Sequence, residues 1–331
     1  MAHAEPAAPA RRRLLLGAAA LAATGGAWGS PRGALHLVVA YPAGGPADVL
    51  ARQIEPLMRT ALDRPVVIDN VPGASGGLGV GRVLQSTDTA SPPLLVGTPS
   101  ETVLAPLVNT NLGYRPEQLR LVALVSHVPV ALVGGSHLPD APLTGWAADR
   151  AGTANPLVFA HYGVGSHAHL AAEDFTVRAG LPAVHVPYGG VAVSLRDLVG
   201  GRADLSFLPF NRGTQALVEQ GRLRLYGLAS DVPAPRFHGA PAIASWSGFT
   251  GFRHDLWTGA FVRHDVPAAA REELRAALRT ALVDPAFRAL KAEEGVMVAS
   301  PMDERETERW HAEEVARYRA LIASLAPRLR G

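Results

Sequence analysis

Cysteine is absent from the 331 residues. That absence excludes a disulfide framework, a thiol nucleophile and any metal site built on thiolates. Lysine is nearly absent as well: Lys291 stands alone among 31 basic residues, so the positive charge is almost entirely guanidinium. A bias this uniform weakens any argument from arginine number alone. Aromatic residues make up only 6% and charged residues 18%. No apolar run approaches the roughly 18 residues of a membrane-crossing helix, which excludes a membrane-spanning bundle. An excess of one charge sign is also missing. Removing Arg11, Arg12, Arg13 and Glu5 from the 31 basic and 29 acidic side chains leaves 28 of each. Such a neutral body lacks the basic stripe that phosphate-backbone binding needs, so no nucleic-acid partner is expected.

What is present is apolar. A hydrophobic content of 48% excludes a disordered chain. At roughly 100–200 residues per domain, the length predicts two domains.

The first 29 residues read as an address. Arg11-Arg12-Arg13 precedes the apolar stretch 14–23, and small residues follow through Gly29. A basic start, a short apolar core and a small-residue end form a signal peptide, cleaved near Gly29, for export to the periplasm. Arg11-Arg12-x-Leu14-Leu15 fits the twin-arginine variant, with a general secretory signal as the alternative. With no cysteine after it, a lipid anchor is not expected.

Beyond residue 30, apolar runs flanked by Gly and Pro alternate with stretches of helical period, the pattern of sheets covered by helices. Strands are predicted at 35–41, 65–69, 94–97, 119–125, 128–133, 157–161, 183–187, 203–207, 223–229 and 257–262. Helices are predicted at 47–62, 74–84, 166–179, 191–199, 214–220, 268–282, 285–294 and 302–325. Pro56 should kink or shorten the first helix. Residues 230–252, rich in Pro, Gly and Ser, read as a long loop. The last helices have no sheet of their own, so the chain should return to cover the first series. This predicts lobe 1 from 30–131 plus 255–331 and lobe 2 from 132–254, with crossings near 127–131 and 255–260 and a ligand cleft between.

Two segments carry candidate chemistry. Tyr41-Pro42-Ala43-Gly44-Gly45-Pro46-Ala47-Asp48 joins a strand to a helix. Adjacent glycines let the backbone turn sharply, and the helix N-terminus offers unpaired N–H groups and positive potential. Together they make a carboxylate or phosphate seat without Lys or Arg, although Asp48 could equally be a simple helix cap. His161-Tyr162-Gly163-Val164-Gly165-Ser166-His167-Ala168-His169 repeats the design, with Ser166 as N-cap. One such seat per lobe would face the other across the cleft.

Other patterns are weaker. His161, His167 and His169 invite a metal site, but residues i and i+2 on a helix point to different faces, so no metal ligands are expected. Gly73-Ala74-Ser75-Gly76-Gly77 matches a hydrolase elbow text, but Val71-Pro72 separates it from the strand and no acid/base pair attaches to it. Gly77, Gly79 and Gly81 miss dinucleotide spacing. No cofactor is expected. An exported hydrolase or metal-dependent enzyme remains the alternative, lacking a convergent acid/base set. A transcription-factor effector domain is disfavoured by the signal and by the lack of a DNA-binding helix pair.

Residues 38–48 and Arg64-Pro65-Val66-Val67-Ile68-Asp69-Asn70-Val71-Pro72-Gly73-Ala74 resemble the Bug family, the substrate-binding proteins of tripartite tricarboxylate transporters. The likeness continues through Tyr162 to Ala171, Val186-Pro187-Tyr188-Gly189-Gly190 and Asp197 to Leu205. The resemblance implies an α/β, two-lobed periplasmic-binding-protein-like (type II) fold with a ligand cleft between lobes, and no catalysis. It implies capture of a small carboxylate, for membrane transporter subunits of the tripartite tricarboxylate type or as an orphan sensor, and the protein is expected to be a monomer. It carries ligand binding onto Tyr41, Ala43, Gly44, Gly45, Pro46, Ala47 and Asp48 of the first loop. In the second it falls on His161, Gly163, Gly165, Ser166 and His169. Thr98 and Ser100 after the third strand, with Tyr188 and Asn211, complete the lining. Two departures stand out. Phe207-Leu208-Pro209-Phe210-Asn211 lacks the Asp common in that family, which implies a less polar far end for the ligand. His161 replaces a small residue and is expected to narrow the entrance.

Overall fold

Short β-branched runs and amphipathic stretches alternate along the chain, and each becomes a strand or a covering helix. The computed structural model describes residues 33–146, 156–230 and 240–329; the expected signal segment lies outside them. In chain order the first elements are β1 (Leu35–Val39), α1 (Pro46–Leu62), β2 (Val66–Asn70), α2 (Gly77–Leu84), β3 (Leu94–Gly97), α3 (Ala105–Val108) and β4 (Leu119–Val128). Next come β5 (Val130–Gly135), α4 (Leu143–Trp146), β6 (Leu157–His161), α5 (His167–Ala179), β7 (Ala183–Pro187), α6 (Val191–Val199), β8 (Leu205–Pro209), α7 (Arg212–Glu219) and β9 (Leu223–Leu228). The series ends with β10 (Leu256–Arg263), α8 (Ala268–Val283), α9 (Pro285–Glu293), β11 (Met297–Val298) and α10 (Glu304–Leu329).

Two sheets result. One has six strands in the order β11-β4-β10-β3-β1-β2, the other five in the order β7-β6-β8-β5-β9. In the first, β1 is parallel to β2 and β3, and β10 is antiparallel to β3 and β4. In the second, β6 is parallel to β7 and β8, while β5 is antiparallel to β8 and β9. The chain changes sheet at Pro129, between β4 and β5. The two predicted strands left their gap at 126–127; the observed strands are separated at Pro129, which falls within the crossing expected near 127–131. Proline has no N–H to give to a ladder, and Pro129 is where pairing passes from one sheet to the other.

Each sheet is covered on both faces. On the first, α1 buries Ala47, Leu50, Ala51, Ile54 and Met58 at helical spacing and packs against α8. The opposite face is covered by α2 and α10, which bury Val80, Val83 and Tyr318. α10 also reaches α5 of the second series. The second core concentrates the scarce aromatics. Phe159, Phe175, Phe207, Phe249 and Phe252 pack with ring centroids 5.1–6.3 Å apart. Phe249 and Phe252, with Trp246, come from the stretch expected to be plain loop, so its described part, residues 240–252, is anchored in the core.

Two further expectations change. α1 runs through Pro56 instead of stopping there. Pro56 is exposed, so the lost backbone bond falls on the solvent side while Ile54 and Met58 hold the buried face. The last helix starts at Glu304 because Asp303 and Glu306 form a reciprocal cap, each side chain accepting from the other's backbone N–H.

Candidate ligand-binding site

The first loop leaves β1 and turns at Gly44, whose φ of 82° suits glycine and few other residues. Gly45 N–H donates to the Pro42 carbonyl at 3.3 Å, and Pro46 opens α1 without a side-chain cap. The first N–H groups of α1, from Ala47 on, therefore have no helical acceptors. Tyr41 and Gly45 are half-buried, Ala43, Gly44 and Pro46 exposed, and Ala47 buried.

Asp48 does not face outward. Its carboxylate accepts from Gly44 N–H (2.8 Å), Arg52 Nε (2.9 Å) and Asn70 Nδ2 (3.0 Å), and the residue is 1% exposed. Arg52 is the main cause that holds its carboxyl down at about 2, outweighing burial, with Gly44 and Asn70 adding to it. Asp48 therefore moulds the loop and ties it to β2. The nearest arginine is spent on the same task.

Beneath Tyr41 lies Glu101, fully buried. It accepts from Tyr41 Oη, Thr98 Oγ1 and Thr98 N–H, all at 2.6 Å. Burial raises the Glu101 carboxyl, and these donors oppose the shift. Burial and then Glu101 push the Tyr41 hydroxyl well up, with a smaller contribution from Tyr162 of the second loop. Thr98 is thus committed to Glu101.

The second loop turns at Gly163 and Gly165, with φ of 133° and 75°. Ser166 caps α5, its Oγ accepting from His169 N–H at 3.3 Å, as the sequence predicts. This loop meets the first series directly. His167 N–H donates to Ser100 Oγ at 3.2 Å, and Ser75 Oγ donates to the Val164 carbonyl at 3.3 Å. A Cβ on Gly165 would touch Val108 at 3.4 Å. Ser75, in the hydrolase-like text, is bonded to a carbonyl and sits at φ 53°, a tight turn before α2.

His161 does not stand at an entrance. It is 1% exposed, donates from Nδ1 to the Gly163 carbonyl at 2.8 Å, and stacks on His169 with ring centroids 4.4 Å apart. Residue 161 ends a central strand, so its side chain packs behind the loop. Burial lowers its pKa to about 4. His169 Nδ1 accepts from Gly165 N–H at 3.1 Å; burial, then His161 and His185, lower it to about 3. His167 turns the other way, edge-on to His254 and Tyr318. Glu173 and His185, which sequence reading passed over, lie on the His169 side. An i, i+4 pairing of His169 with Glu173 was the available signal.

The remaining residues have structural partners. Tyr188 N–H donates to the His161 carbonyl at 2.8 Å, and its hydroxyl is raised by burial and then by Asp197. Asn211 caps α7 through Thr214 N–H at 3.2 Å. Arg212 N–H donates to the Glu294 carbonyl, so α7 begins at a second junction with the first series.

Comparison with known proteins agrees with this geometry. Residues 50–326 match the model of the tripartite tricarboxylate transporter family receptor. Protein BugT of Bordetella pertussis is 25% identical over 307 residues, spanning 91% of each chain. MatC of Rhodopseudomonas palustris, solved with bound malate, is 26% identical with a TM-score of 0.79, covering 88% of this chain and all of its own. Another R. palustris protein, solved with adipate, is 25% identical with a TM-score of 0.79, covering 89% of this chain and 98% of its own. With two sheets, paired strand-to-helix loops and a family match over most of its length, the chain belongs to the tripartite tricarboxylate transporter receptor family, a family of periplasmic solute-binding proteins.

Proposed function

We propose that this protein is an exported, monomeric, non-catalytic receptor that captures a small carboxylate between two lobes, residues 30–131 with 255–331 and residues 132–254. The carrying observation is the pair of glycine turns, one per sheet, each opening onto a helix N-terminus, with the second loop bonded to the first series through Ser100 and Ser75. Backbone N–H groups at such turns hold a carboxylate without arginine, each bond to a charged oxygen contributing roughly 1.5–3 kcal/mol. The malate and adipate held by similar proteins have two carboxylates each, which supports a dicarboxylate here. The segment Leu208-Pro209-Phe210-Asn211 carries no Asp, which supports a less polar far end for the ligand. Transporter subunits of the tripartite tricarboxylate type would receive the ligand. Residues 1–29 would direct export by the twin-arginine route.

Thermal-shift and calorimetric titration with mono-, di- and tricarboxylates test this reading. Saturable binding of a dicarboxylate that is recovered unchanged is the expected result. Consumption of the ligand would favour the exported-enzyme alternative, and no binding by any carboxylate would overturn the class.

A further inference from the structure

Among the described residues, a concentrated set of ligating side chains lies behind the second loop. His169 and Glu173 share one face of α5, one turn apart, and His185 sits on the neighbouring strand β7. His169 Nε2 lies 3.7 Å from Glu173 Oε1, and His185 Nε2 lies 3.5 Å from the same oxygen. One ligand atom from each of the three falls within 4.8 Å of the others. His169 and Glu173 are 8% and 6% exposed. Both ring nitrogens of His185 and Glu173 Oε2 are buried without a hydrogen-bond partner, although Arg328 Nε forms an ion pair with that oxygen at 3.2 Å. Leaving such groups unbonded opposes folding, so their convergence calls for an occupant.

We propose that His169, Glu173 and His185 bind one divalent transition-metal ion. Two imidazoles and one carboxylate suit Zn²⁺ and its neighbours and disfavour Ca²⁺ and Mg²⁺, which prefer all-oxygen shells. Bonds of about 2.0–2.2 Å at tetrahedral angles separate ligand atoms by roughly 3.4 Å. The two spacings to Glu173 Oε1 lie a few tenths of an ångström above that, within reach of small side-chain rotations. Water would fill the fourth position. The sequence pointed away from a metal because it weighed only His161, His167 and His169; His167 and His169 point to different faces of α5, and His161 ends β6.

The site is wired to the loop. His169 Nδ1 accepts from Gly165 N–H, so the neutral ring carries its proton on Nε2. A metal on Nε2 moves that proton to Nδ1, which then opposes Gly165 N–H instead of accepting from it. Losing this bond limits the metal's affinity and frees two donors beside the loop. Only the benefit of those donors to a carboxylate rests on the function proposed above; metal binding itself does not.

The test is titration of the metal-stripped, purified protein with ZnCl₂, followed by calorimetry and by ¹⁵N–¹H spectra. One equivalent should bind, raise Tm and shift the Gly165 amide resonance. Glu173→Gln and His185→Gln should each weaken binding at least tenfold, in the range typical of disturbed metal sites. His137→Gln, at an exposed histidine paired with Asp204, should change nothing. Binding that ignores both site variants, or that leaves Gly165 unmoved, would mean adventitious surface zinc only and would overturn the proposal, as would no binding. Should the variants fail to fold, the Gly165 shift in the unaltered protein decides. Carboxylate titration of the metal-free protein is a separate measurement, so either result can fail alone.

Discussion

Asp48 and Glu101 are carboxylates beside the proposed carboxylate seat, and neither offers it a free oxygen. Each is saturated by donors from its own lobe, which turns their charge inward. The charge the ligand meets is then set by the loop backbone, and two glycine substitutions test this differently. Gly45 has ordinary extended φ, and although a Cβ there would meet the Pro42 carbonyl at 3.3 Å, an Asp at this position can cap α1, which offsets that contact. Gly45→Asp should therefore keep Tm within a few degrees while abolishing dicarboxylate binding, through like-charge contact in a partly dehydrated cleft. Gly165 sits at φ 75°, which costs other residues roughly 1–2 kcal/mol, and Val108 crowds its Cβ. Gly165→Asp should lose both binding and some stability; retained binding in both variants would sink the backbone seat. Acid sensitivity has a clear sign at Asp48. Its carboxyl is held at about 2, below the unfolded value near 3.9, so its contribution is complete above about pH 4 and lost as pH falls towards 2. Asp48→Asn should lower stability at pH 7 and flatten its dependence between pH 4 and 2, measured by urea unfolding.

At the scale of elements, α1 and α5 solve the same problem in two ways. α5 is capped by the Ser166 hydroxyl, whereas α1 begins at Gly45 and Pro46 with no side-chain cap. Ser166→Ala should cost about 1 kcal/mol of stability, seen as a lower urea midpoint. Pro56 gives the opposite expectation. It interrupts the α1 ladder on the exposed face without ending the helix, so Pro56→Ala restores a bond at an open site. Interior proline costs roughly 3 kcal/mol relative to alanine, and the gained freedom of the unfolded chain offsets up to about 1. A net stabilisation of about 1–2 kcal/mol by urea unfolding is expected. Element types were legible because apolar period and Gly/Pro punctuation are local. The strand ends on either side of Pro129 were off by two or three residues because both flanking runs are equally apolar, and only pairing with β10 and β8 sets where each strand stops.

For the whole molecule, the bonds from His167 N–H to Ser100 and from Ser75 to Val164 join the two series at the second loop. If the two series form the proposed lobes, a ligand touching both loops adds to these contacts only when the lobes are together, so it would favour a closed arrangement. Small-angle scattering should show a smaller radius of gyration at saturation with a bound dicarboxylate. An unchanged radius at saturation would count against closure.

By itself, the sequence determined two α/β series, the twin glycine turns, the Ser166 cap and the family resemblance, because all of these depend on residues close together in the chain. Only tertiary structure decided which side chains are taken up by partners within the fold. Asp48 reads as a ligand contact in sequence, and the fold gives its carboxylate to Asn70 and Arg52, while Asn211 Oδ1 caps α7 through Thr214 N–H. His161 read as an entrance residue until the end of β6 buried it against His169. Glu173 and His185 carried no local signal of acting together, since a helix and the following strand bring them side by side. Side-chain partners across separate elements are set by packing, and packing is what a one-dimensional pattern leaves out.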